Sequence, residues 1–199
     1  MTTRLAESHA IPLFFWFRNV DAAVAKNIEV KIRVLNLPSI RQRAGTIAER
    51  GPFVLEQVDY FFPVDQGRLK LRVERSSLPD RGNHAELIAY HRTDQSEART
   101  SDYLICPTQE PDQMRQTLGK VLGTGPVVRK RRELYLHGRT RIHLDEVEGL
   151  GDFVEIEVVM KDGEDNEAGH RELDEIARQL GLDMSGVESL AYADLLAAQ

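Results

Sequence analysis

Cysteine, tryptophan and long apolar runs are scarce in this chain. Of its 199 residues one is Cys and one is Trp. A single thiol excludes a disulfide scaffold and any cysteine-built zinc site within one chain. Cys106, set before Pro107 with no His-Asp partner in view, reads as a buried structural thiol. The longest apolar candidate, residues 11–17, contains Pro12 and stops at Arg18, short of the ~20 residues that span a bilayer. Positive charge is also in deficit. The 26 Lys and Arg against 32 Asp and Glu give a net charge of -6. That balance argues against a general DNA binder and against an anionic-membrane binder. With 41% hydrophobic residues the chain can form a core, so wholesale disorder is excluded. The length suits one domain with or without a tail.

Residues 1–26 read as an N-terminal extension: polar, then apolar and aromatic, then Ala-rich. Ala23-Val24-Ala25 could serve as a signal cleavage site, but Glu7, Pro12, Arg18 and Asp21 argue against a secretory leader. A cytoplasmic location is expected. From residue 27 to 199 the chain reads as one domain, and its hydrophobic period is mostly two. Strands are expected at 27–34, 53–61, 68–75, 86–92, 102–107, 127–136, 140–147 and 152–160. Helices are expected at 39–50, 111–122, 165–180 and 192–198. Short turns join adjacent strands, so the class is α+β with an antiparallel sheet.

Successive side chains of a strand point to opposite faces. Four strands then carry one aliphatic and one charged face. The charged sets are Glu29, Lys31 and Arg33; Arg68, Lys70, Arg72 and Glu74; Arg141, His143 and Asp145; and Glu155 and Glu157 beside Phe153. The alternation leaves two arrangements open. The charged face could look at water, as in a one-sided sheet. Alternatively, eight strands could curl with the aliphatic faces outward under the helices. The like charges at Arg68, Lys70 and Arg72 are costly in neighbouring positions. A charged lumen would need a polyanion and metal ions to neutralise it.

Several blocks resemble the CYTH-domain superfamily, the class IV adenylyl cyclases and thiamine triphosphatases also called triphosphate tunnel metalloenzymes. Asn27-Ile28-Glu29-Val30-Lys31 is similar to the signature Glu-x-Glu-x-Lys. Gly67-Arg68-Leu69-Lys70-Leu71-Arg72, then Glu86-Leu87-Ile88-Ala89-Tyr90-His91-Arg92, then Lys130-Arg131-Arg132 resemble its basic strands in order. The most specific pieces are Arg141-Ile142-His143-Leu144-Asp145 and Gly149-Leu150-Gly151-Asp152-Phe153-Val154-Glu155-Ile156-Glu157, and Tyr192-Ala193-Asp194-Leu195-Leu196 also fits.

The resemblance implies a closed antiparallel eight-stranded β-tunnel with helices packed outside. It implies Mg²⁺ or Mn²⁺ held by Glu29, Glu155 and Glu157, with Asp145 at the metal or substrate. Hard carboxylate oxygens suit those ions. It also implies a triphosphate held by Lys31, Lys70, Arg72, Arg92, Lys130 and Arg132, with Arg141 as an addition. Lys31 and Asp145 are the catalytic candidates. Asn27 departs from the signature, because a carboxylate is missing there. His143 reads first as a hydrogen-bonded lumen residue and second as a general acid–base. Gly123-Thr124-Gly125 is not a phosphate loop, since no Lys-Ser/Thr follows. The run 129–132 lies in a strand, so its basic residues must face opposite ways.

Three functions follow. The first is metal-dependent hydrolysis of a triphosphate such as ATP, thiamine triphosphate or inorganic triphosphate. The second is cyclisation of ATP to cyclic AMP and pyrophosphate. The third is non-catalytic binding of polyphosphate or RNA ends. A homodimer is compatible with each.

Overall fold

A computed structural model describes residues 27–79, 81–92, 101–161 and 163–199, without the side chains of residues 91, 92 and 101–103. The N-terminal extension and the Arg92 side chain lie outside the described residues. The chain runs β1 (Asn27–Val34), α1 (Leu37–Ile47), β2 (Arg50–Phe62), β3 (Arg68–Ser76), β4 (His84–Arg92), β5 (Ser101–Thr108), α2 (Pro111–Leu122), β6 (Val127–His137), β7 (Thr140–Val147), β8 (Gly151–Val159), α3 (Asn166–Leu180) and α4 (Tyr192–Ala197). A single 3₁₀ turn, Met184–Gly186, precedes α4.

The eight strands form one antiparallel sheet in the order β1-β8-β7-β6-β2-β3-β4-β5. Strands β1 and β5 are its two edges among the described residues, so hydrogen bonds do not close the sheet as the expected closed barrel requires. The outer edge of β1 is partly occupied. There Ile32 bridges to Val187, and the Glu188 amide donates to the Lys31 carbonyl at 2.8 Å. The segment after α3 thus takes backbone groups of β1 at Lys31 and Ile32.

Helices α1 and α3 cover the aliphatic face of β1, β8, β7 and β6. Leu37, Ile40 and Ala44 of α1 and Leu173, Ile176, Ala177 and Leu180 of α3 pack on Ile28, Ile142, Leu144, Val154, Ile156 and Val158. Each large aliphatic side chain fully buried there contributes about 1.5–3 kcal/mol. The Asp165 side chain caps the start of α3, and Gly181 ends it in the left-handed conformation. The sequence placed α1 at 39–50. It begins earlier, where the Asn36 side chain accepts from the Ser39 amide at 3.2 Å. It ends earlier because β2 is already paired at Arg50, opposite Leu136.

Two smaller apolar clusters lie on the other face. Leu55, Leu78, Leu134 and Leu136 form one. Val128, Val147, Leu150, Phe153, Tyr192 and Ala193 form the second, which seats α4 across the sheet. Cys106 is exposed, not buried as expected, because β5 is an edge strand with no neighbour beyond it. Among the described residues no helix is long and apolar enough to cross a membrane.

Candidate phosphate and metal site

Register brings the charged phases of the strands together. Lys31 is opposite Glu155, and Glu29 opposite Glu157. Across the next pair, His143 faces Glu155 and Arg141 faces Glu157. Arg132 faces Asp145, Lys130 faces Gln57, and Asp59 faces Arg72. With a period of two, the candidates on these strands share the face turned away from α1 and α3. Arg131 points the other way, toward Glu133, Glu146 and Glu56.

Four cations form the middle of this face, held by two buried carboxylates. Asp145, fully buried, accepts from Arg132 Nε and Nη2, both at 2.6 Å, and from Lys130 Nζ at 3.1 Å. Asp59 accepts from Arg72 Nε and Nη2, both at 2.7 Å, and from Lys70 Nζ at 2.8 Å. Burial pushes against ionisation of both acids. Arg132 and Lys130 nevertheless hold Asp145 well below the usual carboxylate range, and Arg72 and Lys70 do the same for Asp59. The cations are crowded in turn. Burial and the Arg72 charge bring Lys70 down to about 8, and burial and Arg132 lower Lys130.

Acidic residues occupy one flank. Glu155 accepts from Arg132 at 3.1 Å and faces the His143 ring at 3.3 Å. Burial opposes its ionisation, but Arg132 and His143 hold it well below the usual range. Arg141 lies 3.1 and 3.3 Å from the two Glu157 oxygens, and the Asn27 amide donates to Glu157 as well. His143 is the hydrogen-bonded face residue that the sequence suggested. Burial and the Arg132 charge lower its pKa.

Among the described residues no three His, Cys, Asp or Glu side chains converge at metal-holding spacing. Arg132, His143, Arg141 and Asn27 engage the carboxylates individually. The donor set still suits a hard divalent ion. It comprises three carboxylates on adjacent strands and a buried Asn27 Oδ1 that no described donor meets.

Three features of this face were not assigned from the sequence. Asp59 is one, although a lone acid in the otherwise apolar or amide phase Phe53-Leu55-Gln57-Asp59-Phe61 was a usable signal. Tyr192 is the second. Its hydroxyl donates to Asp145 at 2.9 Å, and its ring centroid lies 4.7 Å from Lys31 Nζ and 5.1 Å from Lys130 Nζ. The third is the attachment of the segment around α4. Lys31 donates to the Leu190 carbonyl, and Arg68 forks onto Asp194 at 2.8 and 2.7 Å.

The fold recurs in solved structures. PH1012 from Pyrococcus horikoshii OT3 is 28% identical with a TM-score of 0.70, over 85% of this chain and 98% of that one. A Vibrio parahaemolyticus protein with an adenylate cyclase designation is 20% identical, TM-score 0.61, over 88% and 99%. HpAC1 from Hippeastrum, described as having a dominant triphosphatase activity, is 12% identical, TM-score 0.58, over 87% and 94%. A sequence comparison with curated proteins found no match. The CYTH domain model matches residues 25–191, a span that contains all eight strands and both carboxylates that hold the four cations. On that match, and on the charged face those strands build, this chain belongs to the CYTH domain family.

Proposed function

We propose that this chain binds a triphosphate on its charged sheet face and hydrolyses it with Mg²⁺ or Mn²⁺. One observation carries the reading. Lys70, Arg72, Lys130 and Arg132 are crowded on one face with Asp59, Asp145 and Glu155 bonded to them, leaving an excess of one positive charge. A buried excess of like charge is costly, and a chain of phosphate oxygens relieves it.

Lys70, Arg72, Lys130 and Arg132 bind and orient the phosphates, with Arg141 at the acidic flank and Arg92 as a further candidate from sequence. Lys31 stands between the cations and the carboxylates, opposite Glu155, and neutralises charge on the transferring phosphoryl group. Asp145 holds Lys130 and Arg132 in place. Its depressed pKa makes it a weak base, which favours positioning over proton transfer. Glu29, Glu155 and Glu157 are the residues that would hold a divalent ion, which would supply charge stabilisation for the phosphoryl oxygens.

Cyclisation of ATP is the second reading, favoured by the designation of the Vibrio neighbour. Asn27 favours the third, a non-catalytic binder, because it replaces one carboxylate. One product assay separates them. ATP, inorganic triphosphate and thiamine triphosphate are each incubated with Mg²⁺ or Mn²⁺, and phosphate, pyrophosphate and cyclic AMP are scored separately. Released phosphate supports hydrolysis. Cyclic AMP with pyrophosphate replaces it by cyclisation, and no product with any substrate leaves binding alone.

A further inference from the structure

Next to the four cations, the same face carries a small polar group that the phosphate reading does not use. Gln57 lies two residues from Asp59 on β2, opposite Lys130, and Glu74 lies two residues from Arg72 on β3, opposite Gln57. Both are deeply buried, at 4% and 2% exposure. The Gln57 amide donates to Glu74 Oε2 at 2.5 Å. Among the described residues no hydrogen-bond donor meets Gln57 Oε1 or Glu74 Oε1.

The neighbours explain why Glu74 Oε1 goes without. Arg81 Nε, 3.5 Å away, donates instead to His84 Nε2 at 2.9 Å. That bond makes Nε2 an acceptor and puts the imidazole proton on Nδ1, which faces the Gly82 carbonyl at 3.2 Å. His84 Nε2, 3.6 Å from Glu74 Oε1, therefore has no proton to offer it. Two buried acceptors on paired strands, one of them a carboxylate oxygen with only the longer ion pair to Arg81, are left without a hydrogen bond at the border of the phosphate cations. Such groups cost stability unless a donor completes them.

We infer that Gln57 and Glu74 form a specificity subsite for an N–H donor, an amino group on the organic part of the triphosphate. The inference rests on the triphosphate reading and adds the part of the ligand beyond the phosphates. A site built from acceptors rewards an amino group and penalises a carbonyl in its place.

The test measures binding of β,γ-imido analogues to the full chain by calorimetry. ATP and CTP analogues carry an amino group where those of ITP and UTP carry a carbonyl. Inorganic triphosphate is the control without an organic part. The expected result is a preference of about tenfold or more for the amino member of each pair. Glu74→Gln puts a donor where an acceptor stood. It should shrink that preference while inorganic triphosphate binds no more weakly. Equal affinity for amino and carbonyl members in the unaltered chain would overturn the inference while leaving the triphosphate reading intact. Failure of inorganic triphosphate to bind at all would instead remove the triphosphate reading on which the subsite rests.

Discussion

Tyr192 joins two charges and a carboxylate that come from three different strands. Its hydroxyl holds Asp145 and its ring lies against Lys31 and Lys130, so its two parts are separable by substitution. Tyr192→Phe removes one hydrogen bond to a buried charged acceptor, a loss of about 1.5–3 kcal/mol measurable by denaturant unfolding. Tyr192→Leu also removes the aromatic face and should weaken inorganic triphosphate binding further than Phe does. Equal binding by the two variants would assign no role to the ring. Asn27 is the other informative residue. Asn27→Glu returns the carboxylate of the family signature beside Glu157, so half-saturation of the initial rate should move to lower Mn²⁺ concentration. An unchanged midpoint would show that the missing carboxylate does not limit metal binding.

At the scale of elements, β2 shows what its sequence concealed. Gly51-Pro52 looks like a helix stop and a loop, yet both residues lie inside the strand where its register with β6 shifts. Gly51 has φ of +110°, and a Cβ there would meet the Leu134 carbonyl oxygen at 2.6 Å. Gly51→Ala is thus opposed by both backbone conformation and space, and should cost about 2 kcal/mol or more in unfolding free energy. A variant as stable as the parent would contradict that packing. Most elements were legible because a period of two is a local property. Val127–His137, Thr140–Val147 and α2 lie within a residue of their expected bounds. The occupied edge of β1 was not legible, since it depends on Val187 reaching β1 from far along the chain. Lys70 and Arg72 stand out in the alternation of β3, whereas Lys130 and Arg132 were expected through the family resemblance. Their partners were not legible: Asp59 meets Lys70 and Arg72, 11 and 13 positions on, only once β2 and β3 are in register, and Tyr192 reaches Asp145 across 47 positions, which leaves no periodic trace. Of the carboxylates expected to converge on a metal, Glu155 is engaged by His143 and Arg132 and Glu157 by Arg141 and Asn27, pairings that emerge only with the register.

For the whole molecule, pH should act on stability and on binding with opposite signs. Lys70 has its pKa brought down to about 8 from an ordinary 10.5. Between those values the unfolded chain binds the extra proton, so this group's contribution to stability rises with pH. The cost of burying a charged Lys70 is present below about 8 and fades above it. Triphosphate binding needs that charge, so affinity should fall as pH rises through about 8, and binding there should take up a proton. Calorimetry in buffers of different ionisation enthalpy reads the uptake directly. Lys70→Arg, which stays charged, should flatten the affinity profile. A profile equally steep in both forms would place the titration elsewhere.

The hold of the α4 segment on Lys31 also sets an order of events during synthesis. Lys31 and its acceptor on Leu190 are 159 positions apart. At roughly 5–20 residues per second, the ribosome finishes β1 about 8–30 seconds before that acceptor exists. Strand β1 waits almost as long for β8, its only ladder partner among the described residues. The nascent chain therefore carries the first lysine of the proposed phosphate site on an unpaired strand while most of the sheet is being made. Phosphate affinity should be among the last properties that a growing chain acquires.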